Sequence, residues 1–474
     1  MRLYNTLTKS IDAFIPIESG NVRLYSCGPT VYDYAHIGNF RTYVFTDILV
    51  RALRYFGYQV KFVTNITDVG HLTSDSDTGE DKLEKGARRE GKTAWDVATF
   101  YTEEFLKDSK KLNLLPPDVR PKPTEHIPEQ IAMVQTILDK GFAYQIDDGI
   151  YFDTSKISRY GALTGQSFDE MKEGARVEPN PQKRNAGDFA LWKFSPMGAK
   201  RDMEWPSPWG VGFPGWHIQC SAMGQKHLGD QIDIHPGGDG LIPIHHTNEI
   251  AQSEAATGKV PFSRFWVHGQ FIMVNDEKMS KSKGNFYRLA DIETKGFDPL
   301  DLRYFYLTAH YRAYLNFTWE GLTAAQKSLE GLRTQIRNSQ FAIYNNENRR
   351  AVLSPDKLSK IEALRTKFEE ALQNDLNIPQ ALAVVWEVVK SNIPSPDKYD
   401  LVLSFDEVLG LDLKNSQSTP RIEIPPAIQA LADQRGTARK DKDFQKADTL
   451  RKQIEEKGFI VEDIANGFHL SSRA

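Results

Sequence analysis

Between residues 22 and 65 the apolar pattern changes period twice, and this limits the fold more than any other feature of the 474-residue chain. In VRLYSC (22–27) alternate positions are apolar. From Phe45 through Ile48, Leu49, Ala52 and Phe56 the spacing becomes three or four, and YQVKFVTN (58–65) is strand-like again. QIDIH (231–235) and RFWVH (264–268) are two further strand candidates, separated by the helical HHTNEIAQSEAATG, which closes on Gly258. Strands alternating with helices predict a doubly wound, Rossmann-type parallel sheet, here split by a long insertion.

Changes in composition set the expected boundaries. Residues 1–114 and 206–275 form the two halves of the α/β domain. Between them, 115–205 is a lobe rich in Pro and Gly, with a hairpin pair, FAYQI and IYFD, across Asp147-Asp148-Gly149. Residues 276–320 connect to an α-helical bundle over 321–414, where charged and apolar residues mix at helical spacing. After the linker NSQSTPRIEIPP, residues 425–474 read as a small α+β module. It has an amphipathic helix on Phe444, Ala447, Leu450 and Ile454, then GFIVEDIANGFHL with a hairpin turn at Asn466-Gly467.

Two cysteines cannot build the disulfide framework of a secreted protein, and MRLYNTLTKSIDAF lacks the apolar core of a signal peptide. No apolar run approaches the ~18–20 residues that span a bilayer. A cytoplasmic protein without a membrane partner is expected. The net charge of −4 is silent about nucleic acid, because binding depends on where the basic residues lie.

Three constellations carry chemistry. PTVYDYAHIGN (29–39) places His36, Gly38 and Asn39 at a strand-to-helix junction, where a glycine lets backbone approach a phosphate and an imidazole can donate to it. A glycine turn with a capping histidine is the plainer reading. KMSKSKGN (278–285) sets Lys278 and Lys281 three apart beside Ser280, a cationic loop able to clamp a triphosphate or simply a solvated turn. GWHIQCSAMG (215–224) puts Trp216 and Cys220 one helical turn apart, and HHTNE (245–249) does so for His245 and Glu249. With Cys27 these make four potential Zn²⁺ ligands from three places in the chain. On spacing alone, buried structural cysteines are the plainer reading.

His36-x-Gly38 together with KMSKS resembles the joint signature of class I aminoacyl-tRNA synthetases. CGPTVYDYAHIG, GWHIQCSAM, HHTNEIAQSE and KMSKS, in this order, resemble the cysteinyl-tRNA synthetase family across nearly the whole chain. The resemblance implies an aminoacyl-tRNA ligase that joins L-cysteine to tRNA(Cys) through a cysteinyl-adenylate. It implies Zn²⁺ on Cys27, Cys220, His245 and Glu249, with His246 in place of His245 as the alternative. ATP, with Mg²⁺, is expected on His36, Gly38, Asn39, Lys278, Ser280 and Lys281, and catalysis on His36, Asn39, Lys278 and Lys281. Cysteine is expected against Thr67 and Trp216, and the working form is a monomer. A hydrophobic pocket separates near-isosteric side chains by only ~1–3 kcal/mol, so a soft cation that prefers thiolate is the physical means of rejecting serine.

His235 and His246 are either outer donors that orient ligands or satisfied structural residues. His71, His126, His227 and His310 read as structural or surface residues. QRGTARKDKDFQKADTLRK (434–452) has seven Lys/Arg against three Asp, which suits an anticodon-reading module or a solvated helix face. The chain departs from the family pattern at Asn39, where a second histidine is usual. It also departs at Thr247, in the Gly-rich HPGGDG, and in NITDVGH, which lacks the usual acidic pair. Two other functions share these motifs: a ligase that passes activated cysteine to an amino sugar, and a non-catalytic relative that binds tRNA or amino acid.

Overall fold

A computed structural model describes residues 1–72, 80–165, 180–196, 198, 201–280, 284–345, 353–415, 425–441, 443–464 and 467–472. The core sheet has four strands, numbered here β1 (Asn21–Ser26), β2 (Gln59–Thr64), β3 (Ile232–Gly238) and β4 (Ser263–Gly269). Their order is β4-β3-β1-β2, and every neighbouring pair is parallel. The doubly wound sheet expected from the sequence is present.

Side-chain alternation sends the two faces of each strand to different cores. Val22, Leu24, Val60, Phe62, Phe265 and Val267 pack with Phe40, Val44, Ile48 and Leu49 of helix α1 (Ile37–Tyr55). Tyr25, Val63 and Trp266 face the other way, onto Cys220 and Met223 of α2 (Trp216–Leu228) and Ile250 of α3 (Thr247–Thr257). Helix α3 ends where Gly258 takes a left-handed φ of 72°.

The insertion carries its own antiparallel sheet of Ala143–Ile146, Gly149–Phe152, Phe189–Phe194 and Gly212–Pro214. Its last strand lies beyond residue 205, where the sequence placed the end of the lobe. Trp192 pairs with Pro214 and Phe194 with Gly212, and proline at a strand end removes no interior ladder bond. Nor is the lobe self-contained: Ile150, Phe152 and Leu191 share one core with Ile218, Ala222, Ala251 and Ala255 of α2 and α3.

Helices Trp319–Asn345, Pro355–Gln373, Ile378–Lys390 and Ser395–Leu409 form the bundle, which shares a continuous core with α1. Arg303 and Asp47 join bundle and sheet domain. Buried Arg303 pairs with Asp47 of α1 and donates to the carbonyls of Leu409 and Leu112. Helices Pro426–Lys440 and Phe444–Glu456 pack on an antiparallel hairpin, Phe459–Ile464 with Gly467–Ser472. The basic stretch 434–452 is therefore two helices, the second capped by Asp443. Asn466 of the expected turn lies outside the described residues.

Candidate active site and metal centre

In a sheet of this order, ligands sit beyond the carboxyl ends of the strands where the winding reverses, here between β1 and β3. Cys27 follows directly on β1, and the turn after it is tight. A Cβ on Gly28 would lie 1.6 Å from the Asn65 carbonyl oxygen, so no other residue fits. Cys220 comes from α2, one turn after Trp216. His245 closes a π-helical turn (Ile242–His246) and Glu249 lies in the first turn of α3. The wider π turn presents both His245 and His246 to the same centre, a feature that helical spacing in the sequence could not show.

The four expected ligand atoms converge. Cys27 Sγ lies 3.7 Å from Cys220 Sγ and 3.4 Å from Glu249 Oε1, which is 2.9 Å from His245 Nε2. A tetrahedral zinc with Zn–S of about 2.3 Å and Zn–O of about 2.1 Å spans S···S edges of about 3.8 Å and S···O edges of about 3.6 Å. The sulfur and carboxylate spacings fit that ion. A second group, Cys27, His235, His246 and Glu249, is equally compact. In it, His235 Nε2 is 3.1 Å from the other oxygen of Glu249, and His246 Nε2 is 3.6 Å from Cys27 Sγ.

The site is dry, and its groups set one another's charge, with Cys220 and Glu249 favoured as anions. The Cys27 thiol donates to Cys220, and this contact outweighs burial and holds the Cys220 thiol down at about 6. Burial and the adjoining sulfur push Cys27 well up. Burial alone would raise Glu249, but the imidazoles of His235 and His245 hold it at about 2. Burial opposes charge on His245, yet Glu249 and Cys220 raise it to about 10. His246 is pushed well down by burial and by His235 and His268 around it. Its Nδ1 lies 2.8 Å from His268 Nε2, and His268 Nδ1 lies 2.7 Å from Thr6 Oγ1.

Above this floor opens a cavity of about 630 Å³, lined by Cys27, His36, Gly38, Asn39, Thr67, Trp216, Cys220, His245 and Lys278 among others. Glu249 lies behind the lining. Ser280 lies outside it, and Lys281 lies outside the described residues. The segment just after the lysine loop packs against the His36 turn. His36 bridges Arg288, the Ile37 N–H donates to the Tyr287 carbonyl, and the Phe286 ring meets the His36 ring edge-on at 4.8 Å. Asn285 accepts from the Ser280 N–H and donates to the Lys278 carbonyl, so it ties the flanks of the lysine loop together.

His36 is also the cap of α1. Its Nδ1 accepts from the Gly38 and Asn39 N–H groups at 3.0 and 3.2 Å, which assigns its proton to Nε2. The plainer reading of the motif is therefore seen: the ring caps the helix through one nitrogen and carries its proton on the other. A Cβ on Gly38 would stand 2.8 Å from that ring, so glycine is required here. Asn39 completes a capping box, its Oδ1 accepting from the His36 N–H at 3.1 Å.

Several residues outside the expected set support the site. Asn65, fully buried, donates to Thr67 Oγ1 and accepts from the Gly28 N–H, fixing the threonine beside the cysteine turn. His217 Nδ1 lies 3.0 Å from His245 Nδ1. His71 is neither surface nor remote, for its ring stacks on Trp216 inside the cavity at a centroid distance of 3.9 Å. The sequence signal for Asn65 and His71 was the NITDVGH stretch; the others could be seen only once the strands were placed. His126 and His227 pair with each other at 2.9 Å, and His310 Nε2 lies 2.9 Å from the Asp375 carbonyl oxygen; both contacts are structural.

Residues 13–327 match the family model described as tRNA synthetases class I (C) catalytic domain. Residues 367–392 match the DALR domain, and 421–469 the cysteinyl-tRNA ligase anticodon binding domain. The chain is 47% identical to "Cysteine--tRNA ligase 1" of Burkholderia lata, covering 100% of this chain and 97% of that protein. It is 42% identical to "Cysteine--tRNA ligase" of Treponema denticola, covering 98% of each. A solved methionyl-tRNA synthetase of Mycobacterium tuberculosis in complex with methionyl-adenylate shares the fold, with a TM-score of 0.57 at 14% identity over 82% of this chain and 90% of that one.

Proposed function

Since the chain belongs to the cysteinyl-tRNA synthetases, a family of class I aminoacyl-tRNA ligases, we propose that the cavity at the switch point is where L-cysteine and ATP meet. The enzyme activates cysteine as cysteinyl-adenylate, releasing pyrophosphate, and passes the cysteinyl group to the terminal ribose of tRNA(Cys). The convergence of two cysteines, a histidine and a glutamate beneath His36 and Lys278 supports this reading.

Cys27, Cys220, His245 and Glu249 would hold Zn²⁺. We favour this set because it uses both sulfurs and leaves His235 to orient Glu249 from behind, as metal sites commonly require. When bound, that ion supplies a soft centre that prefers a thiolate to a hydroxyl. Trp216 walls the side-chain pocket from α2, and Thr67 from the turn after β2. His36 Nε2–H and the Lys278 ammonium are aimed at the triphosphate, close to the positive end of α1. Donors placed where charge develops during attack of the carboxylate on the α-phosphorus supply the main catalytic term, each typically ~2.7–4 kcal/mol. No side-chain nucleophile is needed.

Mg²⁺ accompanies ATP, and we take the working form to be a cytoplasmic monomer. No helix among the described residues is long and apolar enough to cross a membrane. The anticodon-binding match over 421–469 favours tRNA over an amino sugar as acceptor.

Cysteine-dependent exchange of pyrophosphate into ATP by zinc-replete protein tests the activation step, and charging of tRNA(Cys) tests the transfer. Absence of exchange would overturn the reading.

A further inference from the structure

We propose that His71, held by Thr30 and Lys82, is a positioning residue that fixes the plane of Trp216 and so sets the affinity for cysteine. The proposal rests on the cavity being the cysteine pocket.

The chain after NITD builds a brace. Gly70 has a φ of 73°, and a Cβ there would stand 2.4 Å from the Pro214 carbonyl oxygen and 2.7 Å from Gln219 Nε2. Only glycine lets residues 69–71 lie against the start of α2, where Gln219 donates to the Val69 carbonyl at 2.9 Å. This contact brings His71 alongside Trp216, and the rings stack within 13° of parallel.

Lys82 returns to the same place from the next helix, Lys82–Glu90, because Asp81 ties the two strands of chain together. Buried Asp81 bridges Leu72, caps that helix through the Leu83 N–H, and accepts from the Gly70 N–H at 3.1 Å and from Arg201 at 2.9 Å. The Lys82 N–H then donates to the His71 carbonyl, and Lys82 Nζ lies 2.7 Å from His71 Nε2. An ammonium can only donate, so Nε2 accepts and the ring proton sits on Nδ1, 2.8 Å from Thr30 Oγ1. A neutral ring anchored at both nitrogens is a rigid platform, not an acid or a base for the substrate. Trp216 also meets the His245 ring at 4.3 Å, so the indole packs against both the brace and the metal centre.

Pyrophosphate exchange on the full, zinc-replete chain tests this with His71→Ala and His71→Phe. The alanine variant is expected to raise KM for cysteine about fivefold to tenfold, the worth of an aromatic pair, with kcat and KM for ATP within about twofold of wild type and zinc content unchanged. Phenylalanine keeps the stacked ring and restores most of the affinity. Unchanged KM for cysteine in the alanine variant overturns the proposal. Parallel loss of zinc, kcat and ATP affinity does so too, since that marks general collapse, as does a phenylalanine variant no better than alanine. Wild-type protein without exchange overturns the assignment of function, and this inference with it.

Discussion

The sulfur atoms of Cys27 and Cys220 lie 3.7 Å apart although 193 residues separate them in the chain. Folding places one at the end of β1 and the other on the helix facing it, and the spacing suits two thiolates on one zinc. Cys220→Ser is expected to lose zinc and cysteine activation together, because a hydroxyl keeps its proton and binds the ion poorly. Elemental analysis and the exchange reaction check this, and full metal content in the variant would remove Cys220 from the ligand set.

Asn39 and His36 cap one another at the start of α1. Its side chain takes the His36 N–H, and its own N–H goes to the His36 ring. Asn39→Ala should destabilise α1 by about 1 kcal/mol and slow adenylate formation, since the ring that presents Nε2 loses half of its cap. Asn39→Asp should keep stability, because a carboxylate accepts the same N–H near the positive helix end. Thermal unfolding and single-turnover adenylate formation separate the two effects.

The parallel sheet was legible in the sequence, because strand-period segments such as β1 and β2 flank a helix-period one; the order of its strands was not. The ligand types were legible too. Which histidine faces which sulfur was not, for it depends on the π turn at Ile242–His246, and no apolar period encodes that turn. That His71 lines the cavity was not legible for a related reason. Its partners Thr30 and Lys82 lie 41 and 11 residues away, and a lone histidine in sequence carries no sign of the glycine fit at Gly70 that brings it to Trp216. The end of the insertion was misplaced because a short strand rich in Gly and Pro follows its neighbour's ladder and has little strand propensity of its own.

Arg303 links the helical bundle to the catalytic domain. It is fully buried, pairs with Asp47, and donates to the carbonyls of Leu112 and Leu409. A Cβ on Gly410 would stand 2.5 Å from the guanidinium, so the joint is close-packed. Arg303→Ala strands those acceptors and leaves Asp47 with Arg51 as its ion-pair partner, at an expected cost of about 3–5 kcal/mol. Urea unfolding would report the loss, and Arg303→Lys should recover less than half of it, because an ammonium cannot reproduce the planar fork.

Asp301, 3% exposed, sits in the first turn of helix Pro299–Leu307 and accepts from the Asp298 N–H and from Gln326. Burial pushes its carboxyl up to about 6, against an ordinary 3.8. A raised acid stabilises the fold only while it is protonated. Its contribution is intact below pH ~3.8 and is lost as pH rises through about 6, where the folded state must hold an ionised group in a dry site. Asp301→Asn keeps an acceptor oxygen and cannot ionise. The variant should match wild type near pH 4 and exceed it by up to roughly 3 kcal/mol above pH ~7, the value of a shift of about two pH units. Denaturant unfolding of both proteins across that range checks the sign: a difference that stays flat with pH would show that Asp301 ionises at its ordinary pH in the folded protein, and one that shrinks would show a carboxyl held below it.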